Sequence, residues 1–201
     1  FWLTQGRRHA QAFDFDAARD AFDTALSLSG GSVGTALPLV ELLTETLCDY
    51  EGALALRPRI SSRGQGSSAL AAQLAIAAVH LGQWPMARTL LGDVKGELAS
   101  KAWTLLAEAA LDAGEGELTL DAVARARSCA PPTPALLRVE SALQALRQRS
   151  RAPEEAALAP LHATGDWPAL LQAAGRVLER YPDSAQARRM VAAAEGALQQ
   201  I

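Results

Sequence analysis

Between Phe13 and Leu28 the stretch FDFDAARDAFDTALSL places Phe15, Ala18, Phe22, Ala25 and Leu26 on one stripe of a helix and Asp16, Arg19, Asp20 and Asp23 on another. Upstream, FWLTQGRRHAQA puts Trp2, Gly6 and His9 on a common face, and the short FD step between the two segments forces an antiparallel helical hairpin. Such a hairpin buries only one face by itself and needs neighbours. From Ala69, ALAAQLAIAAVHLG is apolar almost all round, broken by Gln73 and His80, and too short to span a bilayer. Near Leu28 no run alternates with the period of two that a strand requires.

The same hairpin pattern recurs. KAWTLLAEAALDAGEGELTLDAVARARSCAPP carries Trp103, Leu106, Ala107 and Ala110 on a first helix, Gly114 at a turn, then Val123, Ala126 and Pro131. AAQLAIAAVHLGQWPMARTLLGDV supplies Leu74, Ala75, Ala78, the Gly82 turn, Ala87 and Leu91, and a degenerate unit before it keeps Tyr50 and Ala53 ahead of Pro58. Small residues at the crossing points suit close helix approach. These spacings resemble the tetratricopeptide repeat, a 34-residue helix–turn–helix with W-x2-L-G-x2-Y in its first helix, A-x3-F in its second and a closing proline. Trp2, Gly6 and His9 stand at the first motif, Ala18-x3-Phe22 and Ala25 at the second, while Gln5 replaces the leucine, His9 the tyrosine and Gly30 the proline.

The resemblance implies an all-α fold, a right-handed α-α superhelix (solenoid) of antiparallel helix pairs with about 12 helices, as a single repeat domain over residues 1–201. The expected units are 1–32, 33–66, 67–99 and 100–132, an irregular part at 133–183 and a terminal helix at 184–201. Within the irregular part, helices are expected near 134–149 and 153–163. The segment LGQWP at 81–85 returns as TGDWP at 164–168, which by motif makes 166–180 a second helix; strict alternation makes it a first helix, and the sequence leaves both open.

Composition narrows the function classes. Alanine and leucine dominate a chain that is 49% hydrophobic and only 5% aromatic, as packed helices are. A net charge of −3 gives no basic footprint for nucleic acid, and no membrane insertion is expected. Cys48 and Cys129, far apart, read as small buried hydrophobes on helices rather than a disulfide or zinc pair. The preference for arginine over lysine, with the alanine content, suggests a bacterial source. The chain opens at Phe1 inside a helix, which suggests part of a larger protein. The cytoplasm is favoured over the periplasm, which an upstream signal would instead imply.

Gly30-Gly31-Ser32-Val33-Gly34 fits the G-x-S-x-G pattern of a hydrolase nucleophile elbow, but that elbow joins a strand to a helix, and a helix precedes it here. Gly30 and Gly31 fit a helix end, with Ser32 or Thr35 capping the next helix. His9, His80 and His162 lie on separate helices without a second ligand nearby, so no metal is expected. Glu108 and Asp112 are helical neighbours suited to a solvated or partner-facing surface. No phosphate-binding loop occurs, and no cofactor and no enzyme activity are expected. PRISSRGQGSS at 58–68, with Arg57, Arg59 and Arg63, is expected to be a mobile loop able to meet a small anion.

Surface recognition remains. The resemblance implies that first helices line a concave groove holding a peptide or partner helix. The stripe opposite the core face comprises Leu3, Arg7 and Gln11, then Ile76, Val79 and His80, then Lys101, Thr104, Glu108 and Asp112. A merely solvated face is the alternative for each. Relatives that clamp a partner's C-terminal carboxylate use basic and asparagine positions that here hold Leu3, Arg7, Lys101 and Leu105, of which only Lys101 agrees. The expected function is a non-catalytic scaffold for protein–protein contacts; the alternative is a regulatory or sensor module of a larger enzyme or transcriptional regulator.

Overall fold

The computed structural model describes residues 1–61 and 66–199. The chain is all-α and divides into two compact units, Phe1–Glu140 and Ser141–Ile201. In the first unit the helices are α1 (Trp2–Gln11), α2 (Phe15–Leu28), α3 (Val33–Glu41), α4 (Tyr50–Ala55), α5 (Ser68–His80), α6 (Trp84–Leu91), α7 (Glu97–Asp112) and α8 (Gly116–Cys129). A π-helical segment, Leu42–Thr46, continues α3, and a 3-10 turn, Arg57–Arg59, follows α4. Helix α9 (Pro134–Ala156) runs across the unit boundary, and α10 (Leu158–Thr164), α11 (Trp167–Arg180) and α12 (Ala185–Leu198) follow.

One backbone turn recurs at five joints between consecutive helices. Phe13, Cys48, Gly82, Gly114 and Gly165 all have positive φ, between 53° and 78°. Each is followed by a residue with φ near −85° and ψ between 56° and 77°, namely Asp14, Asp49, Gln83, Glu115 and Asp166. Four of the turns close with the same bonds: Asp14 N–H donates to the His9 carbonyl at 2.9 Å, Gln83 to Ala78 at 2.8 Å, Glu115 to Ala110 at 2.8 Å and Asp166 to Leu161 at 3.2 Å. This is the Schellman closure that satisfies the last carbonyls of a helix. The fifth differs because a π-helix precedes it, so Asp49 N–H reaches one residue further back, to Leu43, at 2.8 Å. Asp14, Asp49 and Asp166 then cap the second helix with a side-chain oxygen; Gln83 and Glu115 make no such bond.

At 166–180 the two readings meet different features: the Gly165–Asp166 turn has the shape of the other hairpin joints, as the motif reading expects, while α11 packs most extensively on α12, as strict alternation expects. The two helices expected near 134–149 and 153–163 are displaced: α9 continues through Pro153, and the interruption falls at Ala157. Pro153 removes one hydrogen bond from the helix, to the carbonyl of the exposed Arg149.

Within the first unit, α2, α3, α4 and α5 enclose one cluster around Phe22, Leu39, Leu43 and Leu70. A second, from α5 to the start of α9, centres on Trp103, Leu91, Leu106 and Leu136. Gly6 of α1 meets the Phe22 ring so closely that a Cβ there would lie 2.5 Å from two ring carbons. Between α2 and α3, Gly31 (φ +79°) lets its carbonyl accept from Ser61 N–H at 2.9 Å. The second unit has its own core of Leu158, Leu170, Ala174, Val177 and Tyr181 against Ala187 and Ala194.

Candidate functional site

The first helices of the first unit adjoin one another: α3 packs on α5, and α5 on α7. Between α1 and α3 lies a cleft of about 330 Å³, bounded by Arg7, Gln11, Pro38, Glu41 and Glu45 over the Phe22 ring. The π-helical segment sets its far wall. Leu47 N–H donates to the Leu42 carbonyl five residues back at 3.0 Å, and Glu45 lies within that widened turn. Such segments inside α-helices are frequent at functional positions.

A polar track leads from the cleft into the core. Gln73, 2% exposed, donates from Nε2 to Glu45 Oε1 at 2.9 Å, and its Oε1 accepts from the buried Thr44 hydroxyl at 3.2 Å. The single Thr44 hydroxyl proton is shared between Gln73 Oε1 and the Val40 carbonyl, 2.9 Å away. A buried amide costs stability unless bonded, and here both ends are bonded. Lys101 Nζ stands 3.8 Å from Glu45 Oε1, an exposed pair of small energetic value. Glu41 has its pKa raised, first by burial and then by the like charge of Glu45, with Arg7 opposing both.

The sequence-derived face is thus divided. Arg7 and Gln11 line the cleft, Leu3 is partly buried against the first core, and Lys101 reaches the cleft through Glu45. Ile76, Val79 and Thr104, expected on an open stripe, are buried instead, at 5%, 7% and 4% exposure. The cause is the position of α5, packed against α3, α4, α6 and α7, so every residue from Leu70 to Val79 is buried. Thr104 donates its hydroxyl to the Ser100 carbonyl at 2.8 Å. His80, the exposed end of α5, stacks on Tyr50 at 4.3 Å. Glu108 is half-buried and Asp112 exposed, and neither borders the cleft. Glu41, Glu45 and Gln73 were not assigned from sequence. Gln73 was the available signal, a single amide inside an otherwise apolar run, which has to find a buried partner.

No protein-family model matches this chain, and no curated protein matches it either. Among solved structures the chain is similar to the TPR2AB-domain:pHSP90-complex of yeast Sti1, at 16% identity, covering 99% of this chain and 70% of that one with a TM-score of 0.37.

The other motifs resolve locally. Ser32 follows α2, a helix, and its hydroxyl pairs with that of Thr35 at 3.0 Å; Thr35 also meets the Ser29 hydroxyl at 2.6 Å, tying α2 to α3. Cys48, expected to be buried on a helix, is exposed in a turn, because a hairpin joint falls there. Cys129 ends α8, half-buried, with its thiol directed to the Val94 carbonyl at 3.4 Å. His9 is half-exposed, with Nδ1 3.4 Å from Asp14, rather than in the core. Arg59, expected in an open loop, is held by Asp23 at 2.6 Å and by Ser27 at 3.0 Å, while Arg63 lies outside the described residues. Among the described residues no three His, Cys, Asp or Glu side chains gather as a metal-holding group, and no helix is long and apolar enough to cross a membrane.

Proposed function

We propose that this chain is a non-catalytic protein-interaction module of the tetratricopeptide-like class, and that its α1–α3 cleft receives a side chain from an extended peptide or partner helix. The observation that carries this reading is the polar track from Arg7 through Glu41 and Glu45 to Gln73 and Lys101. Its carboxylates suit a basic side chain, and its Arg7 and Gln11 donors suit peptide carbonyls. Leu3, His80, Glu108 and Asp112 extend the candidate surface beyond the cleft. Packing and hydrogen bonds supply affinity, and charge sets register and association rate.

Selection from a random peptide display library tests the reading. Peptides enriched on the parent chain should carry lysine or arginine, and should bind an Arg7→Glu/Glu45→Arg variant at least tenfold more weakly, the value of about 1.4 kcal/mol. Enrichment that is absent, or equal on parent and variant with both folded by circular dichroism, refutes it.

A further inference from the structure

Helices α6, α7 and α8 carry a different site. Between α6 and α8 lies a cleft of about 350 Å³ bounded by Pro85, Arg88, Thr89, Gly92, Trp103 and Arg125. Two guanidinium groups face one carboxylate there: Arg88 Nη2 is 3.4 Å from Asp121 Oδ2, and Arg125 Nε is 3.5 Å from Asp121 Oδ1. Tight guanidinium–carboxylate bonds are about 2.7–2.9 Å long, so Asp121 holds both arginines in place without saturating either. Each guanidinium has five N–H donors, and the only further bond to one of them among the described residues is a long one, Arg125 Nη1 to the Gly92 carbonyl at 3.5 Å. The three charges sum to one positive charge.

Trp103 adds a second, independent observation. It is 2% exposed yet borders this cleft, with the Arg125 guanidinium 5.7 Å from its ring centroid. Its Nε1 donor is buried and has no hydrogen-bond partner among the described residues. An indole N–H buried in this way costs stability, and the accessible donors at the cleft are those of the two guanidiniums. Two under-used guanidiniums beside the Trp103 ring at one cleft form a receptor for an oxyanion.

We infer that the Arg88–Trp103–Arg125 cleft binds a phosphomonoester dianion. A monoanion does no more than match the carboxylate already present, whereas a dianion outweighs Asp121 and accepts from several donors at once. Arginine forks suit phosphate oxygens, and the cleft has room for a phosphate with a small substituent. The phosphate could belong to a free small molecule or to a phosphorylated side chain. The inference is independent of the peptide reading, since it uses α6, α7 and α8 and none of the residues lining the α1–α3 cleft.

The test follows the Trp103 indole N–H resonance of the full chain during titration with inorganic phosphate at constant ionic strength. The expected result is a saturable shift with a Kd of about 1 mM, weakened about tenfold by Arg88→Gln or Arg125→Gln. Asp121→Asn should tighten binding several-fold, which loss of a structural ion pair alone would not do. Phosphoserine and a phosphoserine peptide then separate the sources. Tighter binding of the peptide assigns the site to a modified protein, and equal binding assigns it to a small molecule. The inference is overturned by a shift that chloride reproduces, by no saturation, or by a shift unchanged in both arginine variants.

Discussion

Replacing Gly6 with alanine tests the closest helix approach in the first unit. On propensity alone the change stabilises a helix by about 1 kcal/mol. Here the added Cβ would sit 2.5 Å from Cδ1 and Cε1 of Phe22 and 3.0 Å from Cγ, against a comfortable carbon separation of about 3.5–4.0 Å. Relief needs roughly 1 Å of movement, and the Phe22 ring is 3% exposed within the cluster of Leu39, Leu43 and Leu70. Overpacking of that kind costs about 1–3 kcal/mol, and a ring this enclosed belongs in the upper part of that range. Gly6→Ala should therefore destabilise α1 against α2 by about 1–2 kcal/mol net. Because repeat arrays open locally, native-state hydrogen exchange of the α1 and α2 amides is the proper assay. Phe22→Leu removes the ring at a cost of about 1–2 kcal/mol of its own. In that background Gly6→Ala should turn neutral or stabilising, a coupling of about 2 kcal/mol. Equal effects of Gly6→Ala in the two backgrounds, or protection that rises in the parent, would refute the steric argument.

The hairpin joints make a paired prediction: Asp166→Ala removes a cap and should cost about 1 kcal/mol, whereas Glu115→Asp supplies one and should stabilise α8 by about 0.5–1 kcal/mol, both read from urea midpoints. Glu41 makes a pH prediction. Its pKa is raised above the ordinary 4.5, so the folded chain binds that proton more tightly than the unfolded chain, and stability falls as pH rises from 4.5 through the raised value. Glu41→Gln should flatten that limb and raise the melting temperature at pH 7. Glu140 has the opposite sign: hydrogen bonds from Arg127 lower its pKa, so its contribution stands above 4.5 and fades as pH falls through the lowered value.

The helices around Trp103 and Phe22 were legible in sequence because their apolar positions recur with a helical period, and Gly82, Gly114 and Gly165 mark the joints that follow. The Phe13 joint was legible as the FD step between two helical stripes and not as a glycine, whereas the joint at Cys48 carries neither mark: a left-handed residue that is not glycine is invisible to a rule built on glycine. The π-helical turn was equally hidden, since nothing in LLTET distinguishes it from α-helix. The candidate face was misread at α5 for a different reason. A helix apolar on all sides has no open stripe, so assigning Ile76 and Val79 to solvent applied an amphipathic rule to a helix that lacks amphipathicity. Glu41 and Glu45 escaped notice because their role depends on Arg7 and Gln73, far away along the chain.

The hairpin joint has an evolutionary consequence. Its closing bonds run backbone to backbone, and the same path is taken with phenylalanine, cysteine or glycine at the left-handed position. Side chains there can drift until no sequence signature survives, while the geometry persists. The joint is thus a splice point. Exchanging the segment Ala12–Asp14 for Ala113–Glu115 swaps one connector for another of the same backbone shape, losing the Asp14 side-chain cap of α2, so genes for such chains can recombine at these positions with the hairpin path kept.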